Sequence, residues 1–406
     1  MSVTHTITGG LVHLSGNLIQ VTLTASAPLA KHKLAIKVTF DGPFGSPAPE
    51  EIAPDENLQA VFQINGLIDL PADYDFAFPA TEKFVAHSAL AKIVTIDIGE
   101  VYNNEIGERT ESWMNISENN VLRILKGKIR PYELALLNES GKSFASEYVD
   151  GGKFLTRLPQ NQIVAPLQEM KLWFLSKWAD DKQILLNLEV ETDPPYFVAE
   201  NGEITHYSFQ FTETVLILNA LFEFTINPTF LGFDVPPGTH APVGTKVLAY
   251  SFWLSNYPGD AAFESERFRF LVDNVYHEKE FIFYYVNTLS GVDCIRLTGE
   301  YVEKLPTESE QSYKPIPAGS GTKVASLITT SATSQRSWEI NTGPKTAGEM
   351  RGLRDFLESK QRWMVDPERE VNKKLIPVYL ESGDYTIFDS MEFVQNFVVK
   401  VFESHR

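Results

Sequence analysis

A short segment reads Lys33-Leu34-Ala35-Ile36-Lys37-Val38-Thr39-Phe40, in which large apolar side chains alternate with lysine, alanine and threonine. Successive side chains of a strand point to opposite faces, so this period of two predicts one buried and one wet face. The alternation recurs over 184–190 and 206–211, and Phe281–Val286 is an unbroken apolar run. Short strands between Gly- and Pro-rich loops predict a mainly β chain built of sandwiches or barrels.

Turn-rich segments divide the chain into blocks. Its 406 residues suit two to four domains at roughly 100–200 residues per domain. We expect two β-sandwich-like or barrel-like domains followed by a small α+β C-terminal domain. The expected boundaries are 1–110 (first β domain), 111–160 (connecting region), 161–302 (second β domain), 303–323 (linker or long loop) and 324–406 (α+β domain).

One helix is well defined by its start signal. Thr346 and Glu349 are spaced as a capping box, in which each side chain bonds the other residue's backbone amide. Apolar residues then recur at helical spacing, namely Met350, Leu353, Phe356 and Leu357. The sequence therefore predicts a helix over 347–359.

The C-terminal strand around 375–380 contains Pro377. Proline has no amide hydrogen for a ladder bond, so it indicates an edge strand or a bulge. An edge strand can accept a strand from another chain. We therefore expect this strand and the helix to present assembly contacts, at Met350, Leu353, Phe356, Pro377 and Tyr379.

The charge limits the class of partner. The formal net charge is −18, which argues against nucleic-acid binding as the main function, because that needs clustered cations. The N-terminus lacks the pattern of a secretory signal, and no apolar run reaches 18 residues, so we expect no membrane insertion. A lone cysteine, Cys294, excludes an internal disulfide and a cysteine-based zinc site, and we interpret it as a small core residue.

Candidate motifs for catalysis or ligand binding fail on spacing or context. The eight histidines show no metal-ligand spacing. Three aspartates, Asp69, Asp73 and Asp75, lack the offsets of a calcium loop, and 319–323 lacks the order of a phosphate loop. Ser290 lacks the flanking glycines of a nucleophile elbow. We expect no catalytic, cofactor-binding or metal-binding residues and no cofactor.

Aromatic residues leave one binding hypothesis open. Trp173 and Trp178 are close in sequence and could form a platform on which a sugar stacks. Tryptophan more often buries most of its area in a core. A carbohydrate-binding or adhesive sandwich is therefore the alternative function, and a glycoside-active enzyme with paired carboxylates is a less favoured one.

Two groups of motifs carry a family resemblance. Upstream stand FYYVNTLSGVD (283–293) and LTGE (297–300). Downstream follow WEINTG (338–343), the capped helix with LRDFLES (353–359), RWMV (362–365) and LIPVYL (375–380). Over 280–402 this order resembles uncharacterised structural proteins of the tail or baseplate type, encoded in phages and prophages of Bacteroidota.

The resemblance implies a role in assembly. The chain would be a non-enzymatic component of a phage virion, tail or baseplate, or of a phage-derived injection apparatus. Its partners would be copies of itself and other virion or tail proteins. Its location would be the virion, assembled in the cytoplasm of the bacterial host. The matching motifs include no catalytic residue.

Overall fold

The structure is a computed structural model. It describes residues 3–8, 12–40, 47–67, 74, 78–80, 82, 84–87, 90–115, 122–166, 168–175, 182–193, 206–215, 221–226, 246–257, 264–314, 326–367, 374–385 and 396–404. The chain divides into two compact units. The first contains 1–274 and 286–293, and the second contains 275–285 and 294–406.

The first unit is almost entirely β. Its helical segments are a 3-10 turn Ile64–Leu67, helix α1 Pro131–Glu139 and a π-helical turn Ala145–Asp150. Its strands are β1 Val3–Ile7, β2 Val12–Leu14, β3 Gln20–Ala25, β4 Lys33–Phe40, β5 Glu50–Ile52, β6 Gln59–Gln63, β7 Phe84–Ala86, β8 Ala91–Asn103, β9 Arg109–Asn115, β10 Leu122–Leu125, β11 Gln162–Val164, β12 Met170–Leu175, β13 Lys182–Asp193, β14 His206–Val215, β15 Leu221–Ile226, β16 Lys246–Tyr257 and β17 Phe268–Val272.

Two of its sheets share one sandwich-like core. One has the order β1-β3-β6, and the other has the order β2-β10-β8-β4-β5 with β9 paired to β8. Their facing side chains form a single cluster, which includes Val21 and Leu23 of β3, Phe62 of β6 and Ile36 of β4. Lys33 and Lys37 of β4 are exposed, as the alternation predicts. Hydrophobic burial on one face of each strand is therefore the main stabilising contribution to this part of the fold.

Two further sheets complete the first unit. Their orders are β11-β17-β16-β13-β14 and β12-β15-β7. Phe252 and Phe270 on adjacent strands of the five-stranded sheet are both fully buried. Strand β7 precedes residue 110 but pairs with β15 from the block expected at 161–302. Backbone pairing thus joins the two expected β blocks within one compact unit.

The mainly β prediction is confirmed, and sandwich-like sheets are present. Among the described residues, no sheet closes into a barrel. The connecting region expected at 111–160 contributes β10 to the first sandwich and contains α1. Helix α1 begins with Pro131 at its first turn, where the missing amide hydrogen costs nothing.

The second unit holds one large sheet, one helix and one ribbon. The segments are β18 Phe281–Val286, β19 Val292–Leu297, β20 Tyr301–Lys304, β21 Thr307–Lys314, β22 Ser326–Ser334, β23 Ser337–Asn341, α2 Ala347–Glu358, β24 Arg362–Val365, β25 Leu375–Leu380 and β26 Val398–Glu403. The sheet order is β19-β18-β24-β25-β26-β23-β20. Residues 286–293, at the tip of the β18–β19 hairpin, are counted with the first unit.

Helix α2 has the predicted cap. The Thr346 hydroxyl accepts from the Glu349 amide at 3.3 Å, and the Glu349 carboxylate accepts from the Thr346 amide at 2.9 Å. The Phe356 ring packs against Phe283 of β18, with ring centroids 5.3 Å apart. Arg362 ends the helix by donating to two of its last carbonyls, both at 2.6 Å, which is favourable at the negative end of a helix dipole.

The edge prediction is wrong for β25 as a whole, but at Pro377 itself the ladder has a partner strand on one side only. Strand β25 pairs with β24 on one side and β26 on the other. The β26 pairing starts at Val378, one residue after the proline, so the missing donor breaks no ladder bond there. The Pro377 carbonyl still accepts from the Ser404 amide at 2.9 Å. An interior strand tolerates this proline because its ladder changes partner at that residue.

The segment expected as a linker at 303–323 contains regular structure. Strand β21 lies within it and pairs antiparallel with β22. Its polar sequence misled the prediction, because an exposed ribbon has no apolar face to give a period of two. Along the described residues, no helix is both long and apolar enough to cross a membrane.

Replacing Thr346 with alanine is expected to reduce the local stability of α2 by about 1 kcal/mol, because the Glu349 amide loses its acceptor. Hydrogen exchange at the Glu349 and Met350 amides measures this loss. Thr346→Ser keeps the acceptor and is the matched control. Equal protection in the alanine and serine variants would contradict the role of the cap.

Candidate functional site

The five predicted assembly contacts lie in two different environments. Met350, Leu353 and Phe356 are 1%, 2% and 1% exposed, respectively, so they form the core face of α2 and offer no surface to a partner. Helical amphipathicity indicated a buried face, and that face is covered by the chain's own sheet. Pro377 is half-buried, and Tyr379 is exposed and stacks on Phe402. A contact role for these two stays a prediction.

Ser290 and Cys294 are completely buried. The Ser290 hydroxyl lies 2.9 Å from the Tyr74 hydroxyl, and burial raises the pKa of Tyr74 to about 12 despite this hydrogen bond. Ser290 thus forms a buried hydrogen bond with Tyr74 and is not accessible to a substrate. The aspartates at 69–75, the segment 319–323 and Trp178 lie outside the described residues. No three His, Cys, Asp or Glu side chains in the described part of the chain are grouped to hold a metal ion.

A buried charge network crosses β12 and β15. The Lys171 ammonium donates to the Glu223 carboxylate, and both side chains are almost wholly buried. His87 Nε2 donates to the other oxygen of Glu223 at 2.9 Å. The His87 ring stacks on Trp173, with centroids 4.5 Å apart, and Trp173 is 1% exposed. Trp173 therefore packs in the core and cannot stack on a sugar.

The network holds Glu223 in its charged form. Burial alone would raise the pKa of Glu223, but the hydrogen bond from His87 and the charge of Lys171 outweigh it and leave the pKa below its ordinary value. No charge in the network is left without an opposite charge. The arrangement suits a structural role, in which a buried carboxylate fixes the pairing of three strands, β7, β12 and β15.

An open groove lies beside α1. Its volume is about 330 Å³, and its lining includes Ile129, Leu136, Leu137, Lys142, Tyr148 and Lys153. Helix α1 contains no buried residue, and Leu136 is 61% exposed. A helix of ordinary packing would bury an apolar stripe, so this surface is unusual in leaving apolar side chains in water.

Ion pairs give the groove a fixed shape. Glu147 accepts from Lys142 at 2.6 Å and also from Lys153. These two hydrogen bonds, from Lys142 first, hold the pKa of Glu147 below its ordinary value. Across the groove, Arg157 donates to Glu133 of α1 at 2.8 Å. The helix is thus tied to the rest of the unit by charged side chains instead of an apolar core.

Residues from the resemblance motif lie under the groove. Arg157 Nε donates to the Thr288 hydroxyl at 3.0 Å. The Asp293 carboxylate accepts from the Arg157 amide at 2.9 Å and from the Thr156 hydroxyl at 2.6 Å. Asn287 Nδ2 donates to the Leu155 carbonyl at 2.8 Å. The hairpin tip 286–293 therefore holds the strip 155–157, whose Arg157 lines the groove.

The charge around the groove differs from that of the whole chain. Residues 123–157 contain seven Lys or Arg and four Asp or Glu, a net charge of +3. The chain as a whole carries −18, so the remaining residues sum to −21. A running charge count along the sequence is the signal that reveals this local reversal. Pro131 followed by Glu133 in the first turn would likewise have indicated α1.

The β21–β22 ribbon is the second exposed feature. Its two strands pair with each other, and neither belongs to a larger sheet among the described residues. All described side chains of 302–312 are exposed. Among the described residues each ribbon strand has one neighbouring strand, and the outer edge of such a strand is a template for another strand.

Comparison with known proteins adds little. No protein-family model matches the chain, and no curated protein matches it. A solved structure titled "Marsupial T cell receptor" is 12% identical, and the match covers 84% of this chain and 96% of that one, with a TM-score of 0.17. At that TM-score the likeness carries no argument.

Glu223→Gln is expected to reduce the pH dependence of stability in acid. The pKa of Glu223 in the folded protein lies below the ordinary 4.5. The charged carboxylate therefore stabilises the fold at pH values above 4.5, and this stabilisation is lost as the pH falls through the folded pKa. The variant is less stable at neutral pH, since Lys171 loses its nearer charged partner and keeps only Glu169, 3.4 Å away, and the difference in stability between variant and unmodified protein narrows in acid.

Urea unfolding from about pH 7 to about pH 3 measures this difference. Exposed Glu105→Gln is the matched control and should follow the unmodified protein. A gap that stays constant with pH would contradict the charged state of Glu223.

Proposed function

We propose that the chain is a non-enzymatic structural protein that acts through protein–protein contacts in an oligomer. The proposed setting is a phage virion, tail or baseplate, or a phage-derived injection apparatus, assembled in the cytoplasm of the bacterial host. The proposed partners are copies of the same chain and other virion or tail proteins.

The observation that carries this proposal is the β21–β22 ribbon. A two-stranded ribbon alone is only marginally stable in water. This one has eight residues in one strand and nine in the other, and exposed side chains dominate its described part. Pairing of its outer edges with another chain would add a ladder of backbone hydrogen bonds.

The resemblance over 280–402 supports the phage setting. Its motifs lie in β18, β19, α2 and β25, and in the hairpin tip that holds Arg157. These motifs are used to build buried cores and fixed turns. A rigid core of this kind can hold exposed surfaces in fixed positions for contact with other subunits, as an assembly protein requires.

Carbohydrate binding is the less favoured alternative. A sugar platform needs exposed aromatic faces, and Trp173 lies in the core with His87 against its ring. No other described aromatic pair offers a reason to prefer sugars over protein partners.

Purification of the full chain and of particles from its native source tests the proposal. We expect sedimentation to show concentration-dependent oligomers, negative-stain images to show rings or tubes, and mass spectrometry to find the chain in the particles. A strictly monomeric protein that is absent from particles would refute the assembly role. Glycan-array binding by that monomer would favour the alternative.

A further inference from the structure

We propose that the α1 groove of one copy binds the β21–β22 ribbon of a second copy. The contacting segment is 302–310, which runs from the end of β20 through the connection at 305–306 into the first half of β21. This inference rests on the proposed assembly function and names its interface.

Charge makes the groove a favourable place for two copies to meet. Two molecules of net charge −18 repel each other over most of their surfaces. The region 123–157 carries +3, opposite in sign to the whole chain, and the groove lining has three cations, Lys142, Lys153 and Arg157, against two carboxylates. Lys142 and Lys153 lie on the groove with their side chains 53% and 45% exposed. An acidic surface of a second copy is therefore attracted to it.

The ribbon supplies an acidic surface of the right kind. Glu303, Glu308 and Glu310 are all exposed on the approach to the ribbon and on its first strand. Leu305, between them, is 59% exposed. The segment 302–310 thus combines an apolar side chain with flanking carboxylates, and the groove combines exposed Leu136 with the ammonium groups that also bind Glu147.

The two surfaces also agree in length. From Leu305 to Glu310 the chain extends for roughly 17 Å at about 3.3 Å per residue. Helix α1 has nine residues, which give roughly 14 Å at 1.5 Å per residue. A strand lying along the helix can therefore bury Leu305 near Leu136 while its carboxylates reach the lysines.

The contact would be heterologous, because the groove and the ribbon are different surfaces. Each copy then offers one groove and one ribbon, so the same contact repeats from copy to copy. Repetition gives a ring if the rotation closes and an open filament if it does not. Either result fits a component of a tail or baseplate.

Leu136→Glu tests the groove. The side chain is largely exposed, so the fold should tolerate the change, whereas an added carboxylate repels the ribbon. Sedimentation velocity of the full chain should show self-association weakened by about tenfold or more. Ile106→Glu is the matched control, since Ile106 is 78% exposed in the same unit but outside the groove. Equal weakening by both variants would overturn the proposal.

A charge exchange tests the pair directly. Lys142→Glu and Glu310→Lys should each weaken self-association, because each places like charges across the contact. A mixture of the two variants should associate more strongly than either alone, since the exchanged pair has opposite charges again. The control is a mixture of Lys142→Glu with Glu105→Lys, and in this mixture self-association should not recover. Recovery with the control, or none with Glu310→Lys, would overturn the proposal.

A photo-crosslinking residue at position 136 identifies the occupant. Crosslinks to peptides from 301–314 support the ribbon, and crosslinks to another protein in the particles overturn it. If the unmodified protein oligomerises but the groove and ribbon variants do so equally well, the inference fails and the assembly function stands. If the unmodified protein neither oligomerises nor enters particles, the assembly function itself fails.

Discussion

Polar groups at the tip of the β18–β19 hairpin are removed from water, and each has to find a partner inside the first unit. Asp293 is 1% exposed, and its two oxygens accept from the backbone and side chain of the strip 155–157. Asn287 donates to the Leu155 carbonyl of the same strip, and its side-chain oxygen accepts from the Leu289 amide two residues further along the hairpin tip. A buried carboxylate without such bonds would cost several kcal/mol. This requirement fixes the position of Arg157, and Arg157 in turn fixes α1.

Buried polar groups also have to find partners between strands β7, β12 and β15. The Lys171 ammonium and the Glu223 carboxylate lie with His87 in a place that almost no solvent reaches. Their mutual bonds compensate for lost hydration and require β7, β12 and β15 to adopt one register. An all-apolar interior of equal volume could be as stable. The polar version instead makes alternative registers costly, because any shift would leave a charge unpaired.

Exposed apolar surface accumulates where polar contacts replace a core. Helix α1 is held by ion pairs along the groove and by its chain connections, and its leucines remain partly in water. The ribbon is held by its own ladder and has little apolar content. Both features are marginal for an isolated molecule and become favourable when covered by a partner. A heterologous contact between them would cover both features at once.

The sequence by itself determined the strands and the capped helix. Period-two alternation located β4, β13 and the core face of the first sandwich, and the Thr346–Glu349 spacing located α2, because these signals depend only on neighbours in the chain. It also indicated that Met350, Leu353 and Phe356 share one face. Whether that face is covered is a tertiary property, and the chain's own sheet covers it.

Only the tertiary structure decided the partners of each strand and the location of the open surfaces. Pro377 indicated an edge, and this residue is paired on one side only, yet β25 lies inside the sheet because the residues after the proline pair with β26. The groove combines α1, residues 142–157 and the support of Thr288 and Asp293, more than 130 residues away along the chain. Local pattern cannot bring such distant groups together. Their meeting follows from the need to satisfy buried polar atoms across the folded unit.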